Sequence, residues 1–383
     1  MSTAPGTVGA DVLRELLALA RWAPSGDNTQ PWRFRLLDDR QVRVIVQDTR
    51  AHCVYDLDGI PTRMALGALV ETLAIAARAR GLSLHCTPID DLETRDRVDR
   101  HDVLLRLAPP ASTGSGAAPG PADPPTWTIR RRSVQRRPMS VRPLRADERH
   151  ALAAQLAPGY QLVWFEGLAA RWRLARLLWI NAGIRLTLPE AHATHRDIID
   201  WKRTHSRWGV PDAALGVDRL TRQLMRWALQ DWRRVDALNR WAAGTVLPRL
   251  QMDLLPTLAC SALVAIVRDT PPHTAADHLD AGRQMQRLWL GATALGLQHQ
   301  PAITPLVFTR YLRDGVAFTR DDSIRRRTEA MARQAPALLG DLPLARTVWL
   351  GRLGDHRGEG RTQPRSWRLR PDQLLDPIRN PAD

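Results

Sequence analysis

A segment that is almost free of large apolar side chains divides this 383-residue chain into two unequal parts. Residues 108–126 read APPASTGSGAAPGPADPPT. Such a composition cannot bury enough apolar surface to offset its ordering entropy, so we predict a flexible linker there. The fold must therefore be assembled from residues 1–107 and residues 127–383, each with a core of its own or with a core that the two share.

The charge of the chain belongs to the second part. Residues 1–107 carry a formal net charge of −1, whereas residues 108–383 carry +16, and every basic residue except Lys202 is an arginine. Arginine-rich surfaces favour an anionic partner such as a nucleic acid, an acidic membrane or a phosphorylated ligand. The codon preference of a GC-rich genome is an alternative explanation for the ratio of arginine to lysine. No helix-turn-helix, zinc or sheet-binding signature is present, so we predict no nucleic-acid partner.

Cysteine usage and apolar runs indicate the compartment. The three cysteines are odd in number and far apart, which argues against a secreted disulfide framework. The N-terminal residues show no basic stretch followed by an apolar one, as a secretory signal would. The longest apolar run, Leu254–Val267, spans about 14 residues and contains Pro256, too short to cross a bilayer. We therefore predict a soluble cytoplasmic protein without a membrane partner.

Hydrophobic periodicity predicts an α+β fold. In the first part, the spacing of apolar residues indicates two helices and four strands, at 13–20, 33–37, 42–46, 62–80, 84–88 and 102–107. In the second part it indicates helices near 145–156, 168–183, 189–202 and 276–296, an amphipathic stretch over 217–243, and strands at 258–267 and 347–352. Helices and strands thus interleave in both parts, which excludes a helical bundle.

The turn between the first helix and the first strand presents two carboxamides. Its sequence, RWAPSGDNTQPW, places Asn28 and Gln30 ahead of the stiff pair Pro31–Trp32. Each carboxamide carries both donor and acceptor groups, which suits the edge of a heterocycle that has adjacent C=O and N–H groups. A proline-rich loop held by an Asx turn is the alternative interpretation from local chemistry.

The seven residues Ala23-Pro24-Ser25, Asn28 and Gln30-Pro31-Trp32 resemble the Ala-Pro-Ser-x-x-Asn-x-Gln-Pro-Trp signature of the nitroreductase family of FMN-dependent oxidoreductases. In that family the segment lies at the dimer interface and contacts the isoalloxazine ring. The resemblance therefore implies that Ser25, Asn28 and Gln30 contact a flavin.

A second resemblance concerns the cofactor phosphate. Arg131-Arg132-Ser133-Val134 is similar to the family's Arg-Arg-Ser-x-Arg element, which implies that Arg131 and Ser133 hold the FMN phosphate and ribityl chain. Gln135 stands where the family has Arg or Lys, so Arg136 is the substitute cation. Arg365, in a segment similar to the family's C-terminal exit, is a further phosphate contact that the resemblance implies. A solvated basic run beside a linker is the alternative interpretation of residues 131–137.

The order of these elements differs from ordinary nitroreductases, in which Arg-Arg-Ser comes first in one short chain that pairs as a dimer. The resemblance therefore implies a fused pseudo-dimer of two tandem half-domains, 1–107 and 127–383, similar to the dormancy-associated and ThiF-linked nitroreductase proteins. Residues 187–252 have no counterpart and are predicted to form a helical lid over the flavin. His192, His195 and His205 lie near one another in this stretch, but their spacing does not indicate a metal site.

These resemblances imply an FMN-dependent oxidoreductase that passes electrons between NAD(P)H and a small organic substrate at flavin N5. The arginine-rich stretch favours a substrate that is acidic or carried on a partner protein, including an activating enzyme. No side-chain nucleophile or general base is apparent, so no catalytic residue is assigned. A non-catalytic flavin-binding or flavin-sequestering protein is the alternative, because Gln135 departs from the Arg-Arg-Ser element and Gln298 replaces a small residue at the end of the family helix that Gly282–Pro301 resembles. Either a monomeric pseudo-dimer or a homodimer is compatible with the sequence.

Overall fold

The first part of the chain folds as a four-stranded antiparallel sheet covered by two helices. The computed structural model describes residues 9–89, 94, 97–110, 122–340, 342–355 and 363–376. The elements of the first part are α1 (Ala10–Ala20), β1 (Trp32–Leu36), β2 (Gln41–Val46), α2 (Ile60–Arg78), β3 (Ser83–Pro88) and β4 (Val103–Ala108). The strand order is β1-β2-β4-β3. The six predicted elements of this part are confirmed, with ends that differ by at most three residues.

The core of this part follows from the alternation along its strands. Trp32 and Phe34 of β1 are buried, as are Val103 and Leu105 of β4, because residues two apart share one face of a sheet. Leu13, Leu16 and Leu17 of α1, together with the buried face of α2, cover that face. The helix α2 is long and apolar enough to cross a membrane, but most of it is buried within the fold, as in the core helix of a globular protein.

The second part contains a second four-stranded antiparallel sheet and most of the helices. Up to residue 258 its elements are α3 (Trp127–Arg131), α4 (Ala146–Ala153), β5 (Tyr160–Glu166), α5 (Gly167–Thr187), α6 (Pro189–Ile198), β6 (Ile199–Asp200), β7 (His205–Ser206), β8 (Val210–Pro211), α7 (Arg219–Ala228), α8 (Trp232–Trp241), α9 (Val246–Arg249) and α10 (Leu255–Leu258). Beyond it they are β9 (Ala262–Arg268), α11 (Ala275–Ala294), β10 (Leu297–Pro301), α12 (Thr304–Arg313), α13 (Asp322–Leu339), β11 (Thr347–Asp355), β12 (Arg365–Ser366) and α14 (Pro371–Leu374). The larger sheet has the order β10-β11-β9-β5.

Several predictions for the second part need correction. The predicted strand over 258–267 begins only at Ala262, because Leu255–Leu258 form α10. The amphipathic stretch over 217–243 is two helices, since Asp231 starts α8 by accepting a hydrogen bond from the backbone N–H of Arg233. The strands β5 and β10 and the helices α12 and α13 were not predicted at all.

Helices α2 and α11 make the closest contact between the two parts. Gly67 of α2 faces the backbone of Leu279, and a Cβ atom at residue 67 would lie 1.9 Å from the Leu279 carbonyl oxygen. Gly282 of α11 faces α2 in the same way, 2.0 Å from the Met64 carbonyl oxygen. Only glycine permits such an approach, so these two residues set the distance between the two parts.

Charged groups reinforce this contact. The buried Glu71 of α2 forms ion pairs with Arg283 and Arg287 of α11, at 2.9 and 2.8 Å. Asp123, in the segment predicted as a flexible linker, binds Arg287 at 2.9 Å and Arg78 at 2.7 Å. The end of the predicted linker at 122–126 is thus attached to both parts, while residues 111–121 lie outside the described ranges.

The C-terminal segment returns from the second part to the first. Residues 363–376 pass the turn after α1 and reach the edge of the first sheet, where the backbone N–H of Asp376 donates to the Phe34 carbonyl. Arg35 of β1 binds the Asp376 carboxylate at 2.7 Å. This course places Arg365 and Arg368 beside the Ala23–Trp32 turn.

Candidate functional site

A cavity of about 470 Å³ lies between the two parts of the chain. Its volume is within the range of small-molecule and cofactor sites, roughly 300–1,000 Å³. The turn after α1, the start of α2, the segment after α3, the insertion 187–252, α11, the segment after β10 and the C-terminal segment all contribute to its wall. Of the predicted site residues, five line it: Ser25, Asn28, Ser133, Arg136 and Arg365.

The turn that carries the carboxamides is built on strained backbone. Asp27, Asn28 and Gln30 have φ values of +47°, +60° and +51°, in the left-handed region that residues other than glycine seldom adopt. Each such residue costs roughly 1–2 kcal/mol. The backbone N–H of Gln30 donates to the Ser25 hydroxyl oxygen at 3.0 Å, which closes the turn.

The Asn28 amide attaches this turn to two other segments. Its Nδ2 lies 3.3, 3.2 and 3.1 Å from the carbonyl oxygens of Arg207, Gly209 and Trp367. Its Oδ1 is buried and has no hydrogen-bond donor among the described residues. A buried acceptor without a donor is costly, so Oδ1 is an available acceptor for a ligand N–H.

Gln30 does not reach the cavity wall. Its Nε2 donates to the Arg207 carbonyl at 2.8 Å, and its Oε1 accepts from the backbone N–H of Leu369 at 2.8 Å. Both ends of the amide are therefore engaged within the protein. This residue supports the turn, and the flavin contact expected of it remains a prediction.

In the Arg-Arg-Ser element, Arg132 lines the cavity in place of the expected Arg131. Arg131 is exposed, lies outside the cavity wall, and has its guanidinium 5.6 Å from the centre of the Trp127 ring. Arg132 instead is buried in the wall, where its guanidinium lies 4.5 Å from the Trp289 ring centre. Ser133 lines the cavity beside it. The α3 helix ends at Arg131, and the turn of the chain there points successive side chains in different directions.

Three arginines in the wall form what we call the first arginine group: Arg132, Arg365 and Arg368. Arg132 and Arg368 both donate to the Trp22 carbonyl, at 2.9 and 3.3 Å. Arg365 donates to the Arg132 carbonyl at 3.1 Å. Among the described residues, the partners of these guanidiniums are carbonyl oxygens and aromatic rings, and none is a carboxylate.

Burial and mutual repulsion destabilise the positive charges of this group. Burial, with the charges of Arg365 and Arg21 second, lowers the pKa of Arg368 to about 9. Burial also lowers the pKa of Arg132 well below its ordinary value, with contributions from Arg368 and Arg365. The Nε atoms of Arg132 and Arg365 are buried without an acceptor among the described residues. Such a group is completed by an anion.

A second arginine group, Arg136, Arg185 and Arg352, lines the same cavity and has carboxylates nearby. Arg185 binds Asp253 at 3.3 Å. Burial raises the pKa of Asp27, and the charges of Arg136 and Arg185 oppose that rise. Burial lowers the pKa of Arg352 to about 10, which the charges of Cys260 and Asp253 partly offset. The second arginine group therefore differs from the first in its local charge balance.

The insertion contributes apolar side chains to the cavity wall, among them Trp208, Val210, Leu215, Met225, Leu229 and Trp232. Its arginines, which suggested an acidic substrate in the sequence, all lie outside the wall: Arg203, Arg207, Arg219, Arg222, Arg226, Arg233 and Arg234. The arginines that do line the cavity come from elsewhere in the chain.

The histidines of the insertion have partners other than a metal. His195 Nε2 lies 2.8 Å from the Tyr55 hydroxyl, and burial lowers the pKa of His195 to about 3. His205 packs against the Trp367 ring at 5.0 Å, and His192 lies against Trp232 at 5.7 Å. Within the described ranges, no three histidine, cysteine or acidic side chains are grouped as metal ligands.

The two departures from the family pattern lie away from the cavity wall. Gln135 donates from Nε2 to Gln363 at 2.8 Å and accepts from the backbone N–H of Arg137 at 3.0 Å. Gln298 lies in β10, paired with Gly354 of β11. Neither residue occludes the cavity.

Sequence reasoning missed four arginines of the site: Arg132, Arg185, Arg352 and Arg368. Arg352 had a usable signal, because it is a charged residue within an otherwise apolar strand, TVWLGRLGD. Arg132 was within the quoted motif, but the direction of its side chain depends on where α3 ends. Arg185 and Arg368 carry no comparable signal.

Comparison with known proteins supports the resemblance over the first part of the chain. Residues 4–71 match the family model described as the nitroreductase family. A search of curated proteins returned no match.

Two solved structures show weaker similarity. The FMN-dependent nitroreductase NfnB from Mycobacterium smegmatis, in complex with NADPH, is 18% identical, with 60% of this chain and 86% of that chain covered and a TM-score of 0.31. A candidate nitroreductase from Anabaena variabilis is 12% identical, with 83% of this chain and 69% of that chain covered and a TM-score of 0.35. These values are too low to support a functional assignment. The family-model match to residues 4–71, which include the Ala23–Trp32 turn, shows similarity to the nitroreductase family over that segment.

Proposed function

We propose that this chain is a cytoplasmic FMN-dependent oxidoreductase that passes electrons between NAD(P)H and a small, acidic or carrier-bound organic substrate. The observation that carries the proposal is the first arginine group, in which Arg132 and Arg368 are buried and no guanidinium has a carboxylate partner among the described residues, so that an anion would complete it. It lies in one cavity with the Ser25–Asn28 turn, whose sequence belongs to the family-matched segment. Phosphate capture and flavin-edge recognition are thus combined in one site.

The residues present fit an FMN molecule. Arg132 and Arg365 would bind the phosphate dianion through Nε–H groups that have no acceptor among the described residues, and the charge of Arg368 beside them would add to the attraction. Ser133 would add a hydroxyl donor, and Asn28 Oδ1 would accept from the isoalloxazine edge. When bound, the flavin supplies hydride transfer at N5, while the protein supplies position and charge.

The surroundings of the cavity suit this chemistry. The apolar residues of the insertion would exclude water from the ring, so we propose that residues 187–252 act as a lid. We also propose that the chain is a fused pseudo-dimer, as monomer or homodimer, with one flavin site between its parts. Each part contributes one four-stranded sheet and one of the two central helices, α2 and α11.

The experiment that tests this function is anaerobic reduction of the FMN-loaded protein by NADH and by NADPH in a stopped-flow spectrometer. The proposal predicts rapid bleaching of the flavin absorbance at 450 nm, roughly the usual flavin maximum, at a rate that increases with nucleotide concentration. Flavin that stays oxidised with both nucleotides would indicate a flavin-sequestering protein instead. Gln135 and Gln298, the departures that suggest this alternative, do not line the cavity.

A further inference from the structure

The two arginine groups in the cavity differ in charge balance. The first has three guanidiniums and no carboxylate partner in the part of the chain that the structure describes, which suits a dianionic phosphate. The second has three guanidiniums and two carboxylates nearby, Asp27 and Asp253, and a net charge of about +1 when all are ionised. A net charge of that size suits a monoanion.

The second arginine group has unused donors. Arg136 has no hydrogen bond or ion pair among the described residues, although it lines the cavity. Arg352 is buried, and its Nη1 has no acceptor among them. Arg185 binds the Asp253 carboxylate through Nη2, while its Nε is buried without an acceptor among the described residues. A buried N–H group without an acceptor is costly, so a ligand that accepts from Arg352 Nη1 and Arg185 Nε would stabilise this end of the cavity.

The second arginine group adjoins the apolar wall that the insertion provides. The backbone and Cβ of Arg136 pack against Gly216, where an added Cβ would lie 3.3 Å away. Leu215 precedes that glycine and clusters with Met225 and Leu229, which also line the cavity. The Asn239 amide of α8 donates to the carbonyl of Leu186, the residue after Arg185. Charged and apolar surfaces therefore meet at this end of the cavity.

We propose that the second arginine group binds the carboxylate of an amphipathic organic acid whose apolar part packs against the insertion. The proposal rests on the proposed function, because it takes this acid to be the substrate of the same site. It assigns Arg136 to the substrate carboxylate and not to the cofactor phosphate, for which the sequence had suggested it. Arg132, Arg365 and Arg368 remain with the phosphate.

The test is calorimetric titration of the full-length protein, with and without FMN, using benzoate, cinnamate and octanoate and their uncharged amides. The proposal predicts that at least one acid binds about tenfold or more tightly than its amide, since charge-assisted hydrogen bonds are the stronger kind. The Arg136→Met variant is expected to lose this preference while it binds FMN within about threefold of the parent. Arg136 has no hydrogen bond or ion pair to lose among the described residues, so the substitution leaves none of them without a hydrogen-bond partner.

Arg226→Met is the matched control, since it removes an equal charge from the outer face of α7, where Arg226 is exposed and outside the cavity wall. It should bind both ligands as the parent does. Equal binding of every acid and its amide by the parent would overturn the proposal. So would an Arg136→Met variant that loses FMN and keeps the acid preference. A protein that prefers the acid but takes up no FMN would refute the proposed function and leave the carboxylate site supported.

Discussion

The contact between α2 and α11 offers a direct test of how the two parts of the chain are held together. Replacing Gly67 by alanine places a Cβ atom 1.9 Å from the Leu279 carbonyl oxygen, whereas real Cβ atoms essentially never approach within 3.0 Å. The two helices must therefore separate by about 1 Å at this point, because the Leu279 oxygen belongs to the backbone of α11 and a Cβ atom is fixed directly to the backbone of α2.

The size of the effect follows from two opposing contributions. Overpacking of this kind costs about 1–3 kcal/mol, and a gap of 0.5–1 Å forfeits about a quarter to a half of each neighbouring dispersion contact. Alanine is favoured over glycine within a helix by about 1 kcal/mol, which offsets part of the cost. We expect Gly67→Ala to lower the free energy of unfolding by about 1–2 kcal/mol.

In Gly282→Ala, at the same helix crossing, the added Cβ atom would lie 2.0 Å from the Met64 carbonyl oxygen. This substitution should lower the free energy of unfolding by a similar amount. Once one alanine has separated the helices, the second alanine displaces them less. The double variant should therefore lose less free energy of unfolding than the sum of the losses of the two single variants. Gly291→Ala is the matched control, since it also lies within α11 but meets only the Gln155 side chain.

Urea denaturation followed by circular dichroism measures these differences. Because Met64 of α2 and Met285 of α11 both line the cavity, the Gly67→Ala variant should also bind FMN more weakly. A Gly67→Ala variant that is as stable as the parent, or an additive double variant, would refute the proposed contact between the two helices.

Two further predictions concern the turn and the buried histidines. Asn28→Ala should lower the free energy of unfolding by about 2–4 kcal/mol, because alanine replaces an amide that joins three carbonyls and must adopt a φ of +60°. Thr29→Ala removes only an exposed hydroxyl at a residue with φ −70°, so it should lower that free energy by less than about 1 kcal/mol. Equal losses for the two variants in urea denaturation would contradict this account. Stability should also decrease as the pH falls below about 6.5, because burial lowers the pKa of His299 to about 3 and that of His278 to about 4, so the unfolded chain binds protons that the folded chain does not. Each histidine should contribute up to about 1.4 kcal/mol per pH unit until its folded-state pKa is reached, and denaturation curves from pH 7 to pH 4 with an unchanged midpoint would contradict the assignment.

The sequence predicts the first part of the fold well and the second part less completely. Alternation of burial is regular along β4 and at the start of β1, so a pattern of period two identifies them, whereas β2 has three consecutive buried residues and is identified by its β-branched side chains. The strand β10, LQHQP, is polar in sequence, and its position depends on its pairing with β11 and on the contact between His299 and Trp349, which a local pattern does not reveal. The run that ends in β9 is apolar throughout, and such a run does not distinguish the helix Leu255–Leu258 from the strand that follows.

The site shows the same limit. The motif residues Ser25, Asn28 and Ser133 were found because they belong to short local patterns. The charged residues that complete the cavity come from segments far apart in the chain, such as Arg185 at the end of α5 and Arg368 in the C-terminal segment. Their convergence depends on the path of residues 363–376 back to the first sheet, and no local pattern determines that path.

The central claim is that the first arginine group binds the phosphate of FMN, and equilibrium titration of the cofactor-free protein with FMN and with riboflavin tests it most directly. Riboflavin has the same ring and ribityl chain without the phosphate. We predict one FMN bound per chain, with riboflavin at least about 100-fold weaker, since several charge-assisted hydrogen bonds would be absent. A protein that binds neither flavin, or binds riboflavin as tightly as FMN, would contradict the claim.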